Sequence, residues 1–324
     1  MTSGADSQPD IDIMVPAFGD GELVRETVRS VLDQRDPHWR LTVIDDGVGG
    51  GVGGELGDWI AGLGDDRIRY LANPTRLGIN RNFQRCTDES SADLVVLLGS
   101  DDRLLPDFVG RVRDVAARCP DAAFIHTGAR VIGDDGEPVS PLVDRVKKLT
   151  MPGLSAEDRE RGWRLIGGEE LAASLLGGNW MYFPSVAFRG DALRRHGFRE
   201  GYDIVLDLDV YLRILVEGGQ VVLFAEPGIE YRRHAASLSS AQADTGSRFD
   251  EERAYFAEAA EMMAAAGWSR AARAARLHWT SRMHAVVKLP GLLAARRWGH
   301  AGAMLRGALA TKPPKPPERT PADR

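Results

Sequence analysis

Cysteine is scarce in this chain. Cys86 and Cys119 are the only two in 324 residues, and both fall in stretches with helical periodicity. Two thiols so placed form neither a disulfide framework nor a zinc ligand set, and they fit a reducing, cytoplasmic compartment. Long apolar runs are missing too. No segment approaches the roughly 18 residues that a membrane-spanning helix needs. The first ten residues are polar, so no signal peptide is expected. Positive charge is not in excess: 41 Lys and Arg stand against 47 Asp and Glu, a net charge of −6. That balance offers no whole-protein case for nucleic-acid binding. Acid, in turn, is absent from one stretch. Between Met262 and Pro317 there is no Asp or Glu, but there are ten Lys or Arg.

What is present is an ordinary globular composition, 43% hydrophobic and 27% charged. The length allows one large domain or two smaller ones with an ample core. The stretch Leu94 to Leu98 is five apolar residues in a row, the pattern of a strand buried on both faces. Gly99-Ser100-Asp101-Asp102 follows. Adjacent carboxylates repel, so they suit either a solvated turn or a divalent cation. In open α/β sheets, ligands bind beyond the carboxyl ends of strands. Asp101 and Asp102 are therefore candidate metal ligands.

Strands and helices alternate ahead of this point. Ile11 to Val15 is a strand ending at Pro16, and Asp20 to Leu32 has a helical period. Leu41 to Ile44 is a strand ending in Asp45-Asp46-Gly47. Glu55 to Leu63 is a helix, Arg67 to Leu71 a strand, and Gly78 to Cys86 a helix start. Such alternation predicts an α/β fold with a mostly parallel sheet. Asp45, Asp46, Asp101 and Asp102 then share one edge and are expected to face one crevice. Gly49 to Gly54 fits G-x-G-x-x-G, a dinucleotide-binding spacing. It follows the second strand, not the first, and no acid closes the next strand at Leu71-Ala72-Asn73-Pro74. A flexible loop is the better account.

Further on, Asp107 to Arg118 is helical, Ala122 to His126 is a strand, and Asp135-Gly136 marks a hairpin turn. Val139 to Gly162 lacks a period and reads as a loop, either an acceptor-side lid or a surface insertion. Gly168 to Leu176 is helical and Pro184 to Phe188 a strand. Before that strand stand Asn179, Trp180 and Tyr182. Flat rings with polar tips suit a sugar, though such residues also fill ordinary cores. Asp207 lies in the helical stretch Asp203 to Glu217. It either benefits from the helix dipole or serves as a general base. Val221 to Phe224 is a strand, and Ile229 to His234 is extended. Its Arg232-Arg233-His234 end offers charges for a pyrophosphate and a metal.

These motifs, in this order, resemble the family 2 glycosyltransferases of the GT-A fold, over about Ile11 to Ser240. Ile13-Met14-Val15-Pro16-Ala17-Phe18 is similar to the opening strand. Ser30-Val31-Leu32-Asp33-Gln34 is similar to S-[IVL]-L-x-Q, and Val43-Ile44-Asp45-Asp46-Gly47 to V-D-D-G. Gly78-Ile79-Asn80-Arg81-Asn82 resembles the Gly-to-Arg-Asn helix start, and Gly99-Ser100-Asp101-Asp102 resembles D-x-D-D. Leu206 to Arg213 resembles E-D-x-x-L-x-L-R, and Tyr231 to Ser239 resembles Y-R-x-H-x-x-S-L-S. The resemblance implies a mostly parallel sheet flanked by helices, with a C-terminal helical extension. It implies an inverting transfer of a sugar from a nucleotide-diphosphate donor to a saccharide or lipid-linked acceptor, as in cell-envelope polysaccharide or glycolipid synthesis. Asp207 is the implied base. Mg²⁺ or Mn²⁺ is the implied cofactor, held by Asp101, Asp102 and His234. Donor contacts fall to Pro16, Phe18, Asp45, Asp46, Arg81, Ser100, Asp101, Arg232 and Arg233.

The sequence departs from the pattern at Gly99, where the family has an acid, and at Leu206, where it has Glu. Gly49 to Gly54 replaces a Ser-Thr-Asp element, and Ala17-Phe18-Gly19 replaces a Tyr-Asn pair. Two other classes are motivated by single features: a non-catalytic sugar-nucleotide-binding module and an NAD(P)-dependent oxidoreductase. The expected organisation is a disordered 1–10, then a catalytic domain over 11–245 with a nucleotide-sugar half (11–120) and an acceptor half (121–245). A basic helical extension (246–310) and a disordered, proline-rich 311–324 follow. Trp268 to Ala310 is amphipathic, broken near Pro290-Gly291. It suits either peripheral docking on the anionic inner face of the plasma membrane or packing on the domain.

Overall fold

A computed structural model of the chain describes residues 10–19, 21–47, 54–233 and 247–277. They divide into two compact units. The first contains 10–140, 152–168 and 181–233; the second contains 141–151, 169–180 and 247–277.

The first unit opens with β1 (Ile11–Ala17), α1 (Gly21–Leu32), β2 (Trp39–Asp45), α2 (Glu55–Gly62), β3 (Ile68–Ala72), α3 (Ile79–Glu89) and β4 (Leu94–Leu97). The four strands pair in parallel in the order β3-β2-β1-β4. Every residue of β1 and β4 is buried; β4 is an unbroken apolar run, and β1 is apolar apart from Asp12, whose carboxylate accepts from Arg40 and from the Ser91 and Ala92 N–H groups. Next come β5 (Arg103–Leu104), α4 (Phe108–Arg118), β6 (Ala122–His126) and β7 (Ala129–Ile132). They are followed by α5 (Leu142–Lys148), α6 (Ala156–Arg161), β8 (Trp163–Gly167) and α7 (Gly168–Gly177). Then β9 (Val186–Arg189), α8 (Gly190–His196), α9 (Leu206–Val216), β10 (Gln220–Phe224) and β11 (Ile229–Arg232) complete this part. The large sheet has eight strands in the order β3-β2-β1-β4-β9-β6-β10-β8, and β5-β11-β7 form a small one. Within the large sheet only β9 and β8 run against the others. The mixed α/β fold with a mostly parallel sheet is as the alternation predicts.

Helix α1 buries Val24, Val28 and Val31 against the sheet, and Thr27 and Ser30 with them. The polar members of that face have partners. The Leu104 N–H donates to Ser30 Oγ at 3.0 Å. The Gln34 side chain accepts from the Val109 N–H at 3.0 Å and donates to the Leu105 carbonyl at 2.8 Å. Ser30 and Gln34 thus fix the segment that follows the acids of β4.

The stretch Val139 to Gly162, expected to be a loop, contains α5 and α6 instead. Six or seven residues are too few to display a helical period. The ends of α6 are nonetheless marked: Ser155 and Asp158 form a reciprocal capping box, and Gly162 closes the helix with φ of 86°. Pro184 and Ser185, expected in a strand, form a 3₁₀ turn, and β9 begins at Val186.

The second unit holds α10 (Ser247–Ala265) and α11 (Ser269–Leu277), which pack together, along with α5 and most of α7. Helix α11 buries Ala271, Ala272 and Ala275 and exposes Arg270, Arg273 and Arg276. It is amphipathic as expected; the remainder of the basic stretch, 278–310, lies outside the described residues. So do the two terminal segments and all of the Gly49 to Gly54 run except Gly54. No helix among the described residues is long and apolar enough to cross a membrane.

Candidate active site

The parallel strands deliver their carboxyl ends to one edge. There Ala17 is paired with Asp45, and Asp45 with Ala72. Pro16 is buried within β1, paired with Ile44, one residue before the strand ends at Ala17. Phe18 follows, 40% exposed, with the Arg76 guanidinium 4.1 Å above its ring. Asp45 is buried. Its carboxylate accepts the Gly47 N–H at 2.8 Å and the Tyr70 hydroxyl at 2.5 Å. Burial, and after it this bond to Asp45, push the Tyr70 hydroxyl well above its ordinary range, so it stays a donor.

Asp46 does different work from the donor contact expected of it. Its carboxylate accepts Asn73 Nδ2 at 2.7 Å, the Leu77 N–H at 2.6 Å and the Gly78 N–H at 2.9 Å. It is 3% exposed and holds the start of α3, where Gly78 adopts φ of 83°. Asn82 completes this cluster by accepting from Asn73 and donating to the Ile44 carbonyl. The Gly78-to-Asn82 motif is thus a device for seating α3 on the end of β2.

At the end of β4 the two acids also part. Asp101 is half-buried. Asp102 is 1% exposed and accepts the Arg232 backbone N–H at 2.8 Å. Burial, and then the Asp101 charge, raise the Asp102 carboxyl well above the usual carboxylate range. Both carboxyls converge over Gly99. A methyl group there would lie 3.2 Å from Asp101 Oδ1 and overlap the Asp102 carboxyl. Glycine at 99 is what this packing permits. Ser100 lies beside them, its hydroxyl 3.5 Å from the Phe18 carbonyl.

Arg232 is not aimed at a pyrophosphate. Its side chain is 3% exposed and donates to Glu26, the Asp101 carbonyl and the Asp134 carbonyl. Arg233 continues the chain, its N–H on the Ile132 carbonyl. His234, the third expected metal ligand, lies outside the described residues. Among the described residues no group of three His, Cys, Asp or Glu is gathered to hold a metal.

The base candidate is reached through α3. Asn80, the second residue of that helix, donates to the Arg199 and Tyr202 carbonyls at 2.9 and 2.7 Å. Its own N–H bonds the Asp203 carboxylate. Arg81 faces Glu200 at 3.4 Å. The segment 199–203 leads directly into α9, whose first turn carries Asp207. Tyr211, one turn on, stacks on Phe124 at 5.1 Å and on Phe188 at 6.0 Å, which anchors α9 to β6 and β9. Asp207 itself is half-buried, with one carboxylate oxygen on the Leu208 N–H at 2.7 Å. Asp209, two residues on, is buried between Arg199 and Arg213 and braces the helix.

Residues 12–170 match the profile of glycosyl transferase family 2. That stretch is a family 2 glycosyltransferase domain. Over 247 residues the glycosyltransferase is 28% identical to the uncharacterized protein MT1568 of Mycobacterium tuberculosis (strain CDC 1551 / Oshkosh), spanning 72% of this chain and 70% of that one. Over 145 residues it is 26% identical to TuaG of Bacillus subtilis (strain 168), a candidate teichuronic acid biosynthesis glycosyltransferase, spanning 44% and 56%. Among solved structures, S. aureus TarS 1–349 superposes with a TM-score of 0.57 at 12% identity, covering 93% of this chain and 81% of that one. Its complex with UDP-GlcNAc gives 0.59 at 12% identity, with 92% and 81% covered. At such identity the likeness speaks for the GT-A fold.

Of the residues expected to meet the acceptor, Asn179 and Trp180 belong to the second unit and Tyr182 to the first. Trp180 is 4% exposed in the second unit, its indole N–H on Ser174 Oγ at 2.8 Å. Its ring faces are covered, so the expected sugar-stacking role does not suit it. Asn179 lies beside it in that unit. Tyr182 belongs to the first unit and pairs with Tyr231 at 4.6 Å between centroids. Sequence reasoning missed Tyr70, Arg76 and Asn80, which lie on β3 and on either side of the α3 start. Asn80 stands within the Gly78-to-Asn82 motif; nothing local in the sequence marks Tyr70 or Arg76.

Proposed function

We propose that this glycosyltransferase uses a nucleotide-diphosphate sugar, transfers the sugar with inversion, and depends on a divalent cation. The observation that supports it is the tether between the two halves of the chemistry. Asn80 ties 199–203, the segment that leads into the Asp207-bearing helix, to the helix that Asp46 seats on the donor edge. In this reading Phe18, Asp45, Arg81, Ser100 and Asp101 line the nucleotide side, with Arg233 at its margin. The TarS structures with UDP and UDP-GlcNAc favour a uridine donor. The kinship with TuaG favours an envelope polysaccharide or glycolipid acceptor.

A divalent cation suits the donor set: two carboxyls converge over Gly99, one of them strained by burial and by its neighbour's charge, and hard cations take oxygen ligands. Asp101 and Asp102 would hold it, with His234 as the further ligand. The cation would offset charge on the departing diphosphate. Asp207 takes the proton from the acceptor hydroxyl as that oxygen attacks the anomeric carbon from the face opposite the leaving group. One displacement inverts the centre. Exposed Arg270, Arg273 and Arg276 favour peripheral contact of 268–310 with an anionic membrane.

The test is Asp207→Asn with donors screened for Mn²⁺-dependent stabilisation. Turnover is expected to fall by about 10²–10⁴-fold, the usual worth of a general base, while donor affinity is retained. Turnover close to wild type would remove Asp207 from the mechanism.

A further inference from the structure

We propose that Arg232 and Glu26 form a strut that positions the acid turn 99–102, so that Arg232 acts through Asp101 rather than on the donor. The inference rests on the reading that Asp101 holds the donor's cation. The turn follows a strand only four residues long and carries two carboxyls that converge over Gly99. Something must hold it.

The turn is gripped from two elements, and Arg232 is itself held by a third. From α1, the Thr27 hydroxyl donates to the Asp102 carbonyl at 2.7 Å. From β11, the Arg232 N–H donates to Asp102 Oδ1 at 2.8 Å, and Arg232 Nε donates to the Asp101 carbonyl at 3.0 Å. From the hairpin after β7, the Asp134 carbonyl accepts Arg232 Nη1 at 3.0 Å. The remaining guanidinium nitrogen reaches Glu26 Oε2 at 2.6 Å, one residue from Thr27 on α1. A planar guanidinium has a fixed fork of donors, so anchoring it at Glu26 also fixes the direction of its Nε. The position of the Asp101 peptide is thereby set by an ion pair formed with another helix. Arg103, which faces Glu26 at 4.0 Å and Glu230 at 3.1 Å, borders the same strut.

Lysine at 232 has one head group and no fork, so it cannot serve all these acceptors together. Removing Glu26, whose side chain is 40% exposed, loosens the fork without opening a buried gap. The experiment compares wild type with Glu26→Ala, Arg232→Lys and Arg232→Met. Hydrogen–deuterium exchange is followed at amides 99–104. Titrations measure Mn²⁺ in the presence of UDP, and UDP without metal. Faster exchange at 99–104 is expected in all three variants, with Arg232→Met the most affected. Mn²⁺ affinity is expected to fall about 10-fold or more, as when the supports of a metal ligand are removed, while metal-free UDP affinity is unchanged. Unchanged exchange in both Glu26→Ala and Arg232→Lys overturns the strut. A loss of metal-free UDP affinity as steep as that of Mn²⁺ also overturns it, because Arg232 then touches phosphate. If wild type binds neither Mn²⁺ nor UDP, the donor reading fails, and the exchange data still decide the strut.

Discussion

Asp46 carries three donors on one buried carboxylate, two of them backbone N–H groups at the entry to α3. Replacing it with alanine leaves all three without that partner. Orphaned buried donors cost about 1–3 kcal/mol each, and some regain water, so Asp46→Ala should destabilise the fold by about 3 kcal/mol in urea unfolding. Asp46→Asn, which keeps one acceptor oxygen, should fall between the two. A loss below about 1 kcal/mol for the alanine variant would mean that the α3 entry does not depend on this residue. The chemistry of Asp45-Asp46 and Asp101-Asp102 was legible in sequence, and so was their placement at strand ends. Which acid of each pair turns inward was not. That choice depends on the donors the fold brings up: Tyr70 for Asp45, the α3 entry for Asp46, and the Arg232 backbone for Asp102. All lie at least 25 residues away in sequence. Arg232 itself was misread because a sequence shows a cation but not what surrounds it.

At the scale of elements, periodicity served the long pieces and failed the short ones. The strands β1, β2 and β4 and the helices α1, α4 and α9 were legible because their buried faces are apolar and long enough to repeat. Helices α5 and α6 were not, although the cap of α6 is written in Ser155, Asp158 and Gly162. The S-x-L-x-Q stretch shows what a motif can mean for an element. Ser30 lies in the last turn of α1 and Gln34 two residues beyond its end, and both bind the backbone of 104–109. Gln34→Leu would fill the same space while leaving the Val109 N–H and the Leu105 carbonyl without their partner. A loss of about 2–4 kcal/mol is expected, against little change for an exposed site on the same helix such as Glu22→Gln. Chemical denaturation of both variants separates the two outcomes. Equal stability would place the hold on 104–109 elsewhere.

Over the whole molecule, one group makes stability depend on pH in a way the sheet itself dictates. His126 ends β6 in the middle of the large sheet, 2% exposed, and burial pushes its imidazole down to about 3 from an ordinary 6.5. The folded protein therefore keeps it neutral through the mildly acid range. The unfolded chain protonates it below 6.5, so stability is full above that value and declines as pH falls toward 3, by at most about 1.4 kcal/mol per pH unit. Asp102 works with the opposite sign. Raised by burial and by Asp101, it is protonated in the fold at pH values where the unfolded chain carries the charge. Its share therefore grows as pH falls toward 3.8. Total slopes mix these contributions with those of the other carboxylates, so the comparison must be between two proteins. His126→Gln removes the imidazole and leaves every carboxylate in place. Urea unfolding at pH 7.5, 6, 5 and 4 should give the variant a shallower decline than wild type, the gap widening at each step below 6.5. Parallel curves would mean that the imidazole is protonated within the fold, and that the centre of the sheet admits the water or the counter-charge that its burial otherwise excludes.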